Sequence, residues 1–200
     1  MKTPPIFSAV LIAVGLTAAD TTLQSGPARW PAGEMILAWI DSTEAPPGAE
    51  ALVERALKNW TDAADGRVAL KETALEDNAK VRIRFIRSET NYGETAPHLD
   101  ARTRAIVGAD VGIRADAPGD PLNQRIVIYL TALHELGHAL GLAHSDDFGA
   151  IMYRFRAPGD GGRYFMNYRQ RLHSAADIGT PAATGISAED LRALRMLYDR

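Results

Sequence analysis

The segment from His134 to His144, HELGHALGLAH, constrains the fold of this chain more than any other. Residues four apart on an α-helix share a face, so the imidazoles of His134 and His138 project together and can meet at one point. His144 can join them only if the helix ends and the chain turns back. Gly141 is where that turn is easiest, because glycine accepts a positive φ. The segment therefore predicts a helix, a stop at Gly141 and three converging histidines.

Three converging imidazoles form a ligand set for a metal ion. A catalytic zinc ion takes three protein ligands and keeps a fourth position open for water. The chain has no cysteine, so a metal must be bound by histidine or carboxylate side chains. Glu135 directly follows the first histidine, beside the metal, where it can accept a proton from the water that the metal activates. We expect one zinc ion on His134, His138 and His144, with Glu135 as the general base.

The composition is that of one ordinary globular domain. The chain has 200 residues, of which 46% are hydrophobic and 24% are charged, enough apolar material to bury a core. The formal net charge is -3, and no basic block interleaves with aromatic residues, which excludes the charge pattern of a nucleic-acid binder. We expect a single monomeric domain over residues 28–200 with no nucleic-acid partner.

The N-terminal residues have the pattern of a secretory signal peptide. Lys2 precedes an apolar stretch from Ile6 to Leu16, and small residues follow at 17–19. The stretch is too short to cross a membrane comfortably, so we expect no integral span in the mature form. We expect removal of residues 1–19 and a secreted, extracellular protein, with the periplasm as an alternative location. An uncleaved N-terminal anchor is the competing interpretation.

Hydrophobic periodicity predicts several strands. A continuous apolar run at 35–40 predicts a strand covered on both faces, and alternation at 81–85 predicts a half-buried strand. A second β-like run covers 104–114. Between these two lies a weakly signalled strand at 92–97.

Helical periodicity predicts three helices. Apolar residues at helical spacing over 52–60 indicate an amphipathic helix. High apolar density near 124–140 indicates the buried active-site helix, although 126–130 alone would also suit a strand. Ser187 begins a capping-box pattern that opens the last helix.

The sequence around these histidines resembles the metzincin group of zinc peptidases, and within it the matrixin branch. That group is marked by the extended histidine motif followed by a methionine-containing turn. Here Ser145 directly follows His144, and IMY places Met152 in the following turn. Trp30, an apolar strand, a helix ending in KNWTDAA, the strand VRIRF and the closing ISAEDLRALRMLY follow in matrixin order. The resemblance covers most of residues 28–200 and is to a secreted member of bacterial type.

The resemblance implies a zincin fold and an endopeptidase. The fold is α+β with α/β-type layers, a twisted mixed sheet of five strands, about three helices and a cleft across the domain. The activity it implies is zinc-dependent hydrolysis of peptide bonds in protein or peptide substrates. Met152 would form an apolar floor under the imidazoles without binding metal. An extended substrate would add as a strand to a sheet edge near 92–97 or 104–114.

Residues 154–186 form a longer stretch than the family pattern suggests. Matrixins place there the wall of the pocket that receives the substrate residue after the scissile bond. On this resemblance, Tyr153, Arg154 and Phe155 are candidate pocket residues, although Tyr153 also suits a packing role. A surface hairpin that covers the core explains the stretch equally well.

The chain departs from the family pattern in its other metal ligands. Matrixins usually hold a structural zinc ion with three histidines and an aspartate, but outside the motif only His98 and His173 remain. That site cannot be built here in its usual form. Calcium remains a candidate, because loop aspartates supply oxygen ligands; solvated loop acids are the alternative. The aspartates concerned are Asp100, Asp110, Asp116 and Asp120.

Two other functional classes compete with an enzyme. One is a secreted binding or inhibitory module that keeps the zinc fold without turnover, and Glu135 argues against it because an inactive protein needs no base. The other is a metal-scavenging protein, for which a closed site with four ligands is expected. The motif offers three ligands and an open position instead.

Overall fold

Five strands form one mixed sheet in the computed structural model, which describes residues 27–199. The strands are β1 (Glu34–Asp41), β2 (Val68–Glu72), β3 (Val81–Ile86), β4 (Gly93–Leu99) and β5 (Ile106–Arg114). Their order across the sheet is β2-β1-β3-β5-β4. The first four strands in this order are parallel to one another, and the edge strand β4 is antiparallel to β5. The expected signal peptide at 1–19 lies outside the described residues.

The described part of the chain has four α-helices, of which α1 and α2 pack against the sheet. They are α1 (Ala49–Ala64), α2 (Pro121–Ala139), α3 (Asp160–Arg169) and α4 (Ala188–Tyr198). α1 and α2 lie against each other, and the indole of Trp60 on α1 donates a hydrogen bond to the carbonyl of Leu133 on α2 at 2.7 Å. No helix within residues 27–199 combines the length and apolar character needed to cross a membrane.

The active-site helix α2 begins and ends where its sequence dictates. The Asp120 carboxylate accepts a hydrogen bond from the Asn123 N–H at 2.9 Å, and Pro121 occupies the first helical turn, where its missing N–H costs nothing. The helix is buried around most of its circumference, as expected of a helix that crosses a core. The helix predicted near 124–140 is therefore confirmed, and 126–130 is not a strand.

The predicted α+β fold with five strands is confirmed, but β2 was missed and the helix count was low. β2 is a five-residue strand, VALKE, whose short length and charged end give little periodicity. The fourth helix is α3, which lies inside residues 154–186. The surface hairpin weighed for that stretch is therefore wrong.

Two predictions about individual strands also need correction. β1 was expected to be covered on both faces, but its burial alternates, and Met35 is 52% exposed. The run at 104–114 was named as a possible sheet edge. β5 instead pairs with β3 on one side and β4 on the other, so its backbone is already satisfied. Of these two candidates, the strand predicted at 92–97, now β4, lies at an edge.

The methionine turn is held in place by the start of α4. The predicted capping box is confirmed, because Ser187 accepts a hydrogen bond from the Asp190 N–H and the Asp190 carboxylate accepts one from the Ser187 N–H. The same carboxylate, 1% exposed, also accepts hydrogen bonds from the N–H groups of Ile151 at 2.9 Å and Met152 at 3.2 Å. One buried carboxylate therefore joins the last helix to the turn.

Replacing this carboxylate should destabilise the protein. Asp190→Ala leaves the buried N–H groups of Ile151 and Met152 without acceptors, so we expect a loss of about 3 kcal/mol in the free energy of unfolding. Glu189→Ala is the matched control, since Glu189 is the preceding residue and forms a surface ion pair with Arg192. That change should cost less than about 1 kcal/mol. Urea unfolding measures both, and equal losses would contradict the anchoring role.

Candidate metal centre

Three imidazole nitrogens meet at one point. Nε2 of His138 lies 3.1 Å from Nε2 of His134 and 3.2 Å from Nε2 of His144. Two nitrogens bound to one tetrahedral zinc ion at about 2.05 Å are about 3.3 Å apart, so this spacing is that of shared ligands. The three histidines form a group that could hold a metal ion, with ligand atoms within 4.8 Å of one another.

Backbone carbonyls fix the orientation of the two helical imidazoles. Nδ1 of His134 lies 2.6 Å from the carbonyl oxygen of Ile151, and Nδ1 of His138 lies 2.8 Å from that of Leu142. A carbonyl oxygen only accepts, so each Nδ1 carries the proton and donates it. Each Nε2 then presents a lone pair toward the shared point, which is the tautomer that zinc requires. The residues present therefore fit the metal that the sequence predicts.

Desolvation favours the neutral form of these imidazoles. Desolvation lowers the pKa of His134 to about 4, although the hydrogen bond to the Ile151 carbonyl acts to raise it. Desolvation likewise lowers the pKa values of His138 and His144. Neutral imidazoles do not have to lose a proton before they bind a cation, so the site is ready for metal at neutral pH.

The turn that brings His144 back depends on Gly141. This residue has φ of 97°, a backbone conformation that side chains disfavour, and a Cβ here would lie 2.3 Å from the Ala28 carbonyl oxygen. The predicted helix stop lies at this turn, and Leu142 directly after it supplies the carbonyl that orients His138.

Met152 packs against the helix that carries His134 and His138. It is buried, and its sulfur contacts Gly137 of α2, between the two helical ligands. Its carbonyl accepts a hydrogen bond from the N–H of Ser145 at 2.7 Å, which closes the loop between them. The apolar floor under the imidazoles that the resemblance implies for Met152 stays a prediction.

Glu135 lies beside the ligands, and its side chain is withdrawn from solvent. The residue is 6% exposed, and its Oε2 accepts a hydrogen bond from the hydroxyl of Thr95 on β4 at 2.7 Å. The pKa of Glu135 is raised to about 7, mainly by desolvation and in smaller part by the negative charge of Glu94, whereas the Thr95 hydrogen bond acts to lower it. A carboxyl group whose pKa is raised by burial in a cleft is a candidate for proton exchange with a substrate.

An open cleft of about 670 Å³ surrounds this group. Its walls are the edge strand β4, the outer face of α2 and the chain after the methionine turn. All three candidate pocket residues, Tyr153, Arg154 and Phe155, line it. The sequence predicted a possible substrate-binding edge at 92–97 but did not single out Tyr92 or Thr95, which also line the cleft, because β4 carries only a weak strand signal.

Aromatic rings close one end of the cleft. The ring of Tyr92 lies 4.9 Å from that of Phe165 on α3 and 5.9 Å from that of Phe155, in edge-to-face contacts. The Tyr153 hydroxyl lies 3.2 Å from a carboxylate oxygen of Asp160, which is 2% exposed. Hydrogen bonds from nearby backbone N–H groups hold the Asp160 pKa well below its usual value. Residues of α3 therefore form part of the cleft wall. They lie in the stretch for which the sequence allowed either a pocket wall or a surface hairpin.

The other predicted metal residues do not converge within residues 27–199. His98 lies 2.8 Å from the Asp110 carboxylate across strands β4 and β5. Asp100 accepts a hydrogen bond from the Thr103 N–H at 2.7 Å, and Asp116 contacts Arg114 at 2.9 Å. Asp120 caps α2. Each carboxylate already has a protein partner, which favours the loop-acid explanation over calcium.

Comparison with known proteins gives a family match and several relatives. The family model described as Matrixin matches residues 40–164. Metalloendoproteinase 1 of Glycine max is 30% identical over 150 residues, which are 68% of this chain and 48% of that protein. Neutrophil collagenase of Homo sapiens is 30% identical over 115 residues, 52% of this chain and 24% of that protein. The probable matrix metalloproteinase 095L of Invertebrate iridescent virus 3 is 22% identical over 184 residues, 86% of this chain and 49% of that protein. The chain thus spans about half the length, or less, of these relatives.

The geometry predicts one tightly bound zinc ion per chain. His138→Ala removes the ligand that neighbours both others, so we expect loss of zinc at stoichiometric loading. His173→Ala is the control, since that side chain is 98% exposed, and it should keep one equivalent. Elemental analysis after removal of free metal measures both. Two equivalents in the wild type, or full zinc retention in His138→Ala, would contradict the assigned site.

Proposed function

The chain belongs to the matrixin family, and on that premise we propose that it is a secreted zinc-dependent endopeptidase with Glu135 as its general base. The observation that carries the proposal is the meeting of three Nε2 atoms beside a buried carboxylate in an open cleft. The ligands are His134, His138 and His144. No fourth histidine, cysteine or acidic residue within 27–199 joins this group, which leaves a coordination position for water and favours catalysis over metal storage.

The residues of the chain divide the chemistry between them. Zinc, when bound, polarises the scissile carbonyl and lowers the pKa of a water molecule toward neutrality. Glu135 accepts the proton that the attacking water loses and then donates it to the nitrogen of the leaving amine. Its position supports both steps, because the carboxyl group lines the cleft beside the three converging imidazoles.

The cleft suits an extended peptide substrate. β4 is an edge strand, so one side of its backbone is available for pairing with a substrate strand. The side chain after the scissile bond enters the cavity lined by Tyr153, Arg154 and Phe155. Tyr92 and Phe165 close its far end, so an apolar or aromatic side chain would be well accommodated there.

We also propose that the protein is exported. The support is the N-terminal order of Lys2, the apolar stretch and the small residues at 17–19. N-terminal sequencing of the exported protein should begin near Asp20. A sequence that begins at Met1 on exported protein would refute cleavage.

The role of Glu135 can be separated from that of the ligands. Glu135→Ala should keep one zinc equivalent and near wild-type thermal unfolding, because the carboxylate is not a ligand. Peptide hydrolysis should fall by about 10²- to 10⁴-fold, since the attacking water loses its proton acceptor.

Glu94→Ala is the matched control, because Glu94 is an exposed carboxylate that also lines the cleft. It should retain hydrolysis within about one order of magnitude. A zinc-loaded Glu135→Ala protein that cleaves peptides at the wild-type rate would exclude the proposed mechanism.

A further inference from the structure

The edge strand β4 touches the general base directly. Gly93 and Thr95 are two residues apart and share a face of the strand. A Cβ on Gly93 would lie 2.7 Å from Cγ of Glu135 and 2.8 Å from its Oε1, so the strand backbone packs against this side chain. The hydroxyl of Thr95 lies 2.7 Å from Oε2 of the same residue. Gly93 therefore limits the space around the carboxylate, and Thr95 forms a hydrogen bond with it.

The two oxygens of the Glu135 carboxylate have different surroundings. Oε2 accepts the Thr95 hydroxyl, whereas Oε1 has no hydrogen-bond partner within residues 27–199. The carboxylate therefore cannot rotate freely about its last bond without breaking the bond to Thr95. One oxygen is held, and the other stays available to accept a proton.

From this asymmetry, and on the basis of the proposed function, we propose that Thr95 is a positioning residue for the general base. Its hydroxyl holds Oε2 of Glu135 against β4 and thereby turns Oε1 toward the water that attacks the substrate. Thr95 itself touches neither the metal ligands nor the reacting atoms. Thr95 lies on β4, the strand that would pair with substrate. It therefore also couples the position of Glu135 to the position of β4.

A purely structural role for this hydroxyl is the competing explanation. Thr95 Oγ1 also lies 3.0 Å from the backbone carbonyl of Glu135, so it joins β4 to α2 in any case. That carbonyl, however, belongs to α2, whose regular i to i−4 pattern pairs it with the N–H of Ala139. A threonine hydroxyl has a single proton, and the carboxylate is both the closer and the charged acceptor. The bond to Oε2 is therefore the stronger contact.

The test compares Thr95→Val, Thr95→Ala and Thr95→Ser on the full zinc-loaded protein. Valine keeps the branched shape without the hydroxyl, alanine removes the side chain beyond Cβ, and serine restores the hydroxyl alone. We expect valine and alanine to lower kcat on the order of tenfold, equivalent to about 1.4 kcal/mol, with zinc content unchanged. KM should stay within about twofold, because the hydroxyl contacts the base and not the substrate. Serine should restore kcat to near the wild-type value.

Thr61→Val is the matched control for the loss of a half-buried hydroxyl. Thr61 on α1 donates to the Leu57 carbonyl and accepts from the Leu70 N–H, far along the chain from the site. This variant should unfold at a lower temperature and keep its kcat. The proposal is overturned if the zinc-loaded Thr95→Val or Thr95→Ala protein has the wild-type kcat, or if Thr95→Ser is as slow as they are. If the wild type itself shows no chelator-sensitive hydrolysis, the proposed function fails instead.

Discussion

The hydrogen bond from Nδ1 of His134 to the carbonyl of Ile151 connects the proposed metal ligands to the rest of the structure. It fixes the tautomer of the first ligand and the direction of its free lone pair. The N–H of the same residue, Ile151, donates to the buried carboxylate of Asp190 at the start of α4. Through its two hydrogen bonds, Ile151 of the methionine turn therefore connects α4 to His134. This accounts for a core that extends to the C-terminal helix in a protein whose chemistry lies near the middle of the chain.

A backbone carbonyl also orients His138, the second histidine of the helix. The carbonyl that holds His138 belongs to Leu142, which follows the positive-φ turn at Gly141. The turn that returns His144 to the site thus also orients His138. The ligand set is preorganised by two turns rather than by neighbouring side chains. The remaining groups of the site, β4 and α3, approach the cleft from its two sides and supply the contacts to Glu135 and the aromatic wall.

Sequence analysis predicted the parts of this structure that local patterns encode. The helix with two histidines on one face, the stop at Gly141 and the capping box at Ser187 each follow from spacing within a few residues. β2 was missed because five residues ending in charges carry little periodicity. The partnership of Thr95 with Glu135 could not be predicted, because it joins residues 40 positions apart that only the antiparallel edge strand brings together. The hydrogen bonds from Ile151 and Met152 to Asp190 could not be predicted for the same reason, because the capping box already explains an aspartate at this position.

The central claim is that this chain cuts peptide bonds with a zinc ion held by three histidines. The most direct measurement is mass-spectrometric analysis of a peptide library incubated with the wild-type protein, with chelator-treated protein and with treated protein resupplied with zinc. We expect cleavage within the peptides by the first, none by the second and the same cleavage sites restored in the third. Cleavage that persists after zinc has been removed, or no cleavage by the fully zinc-loaded protein, would contradict it.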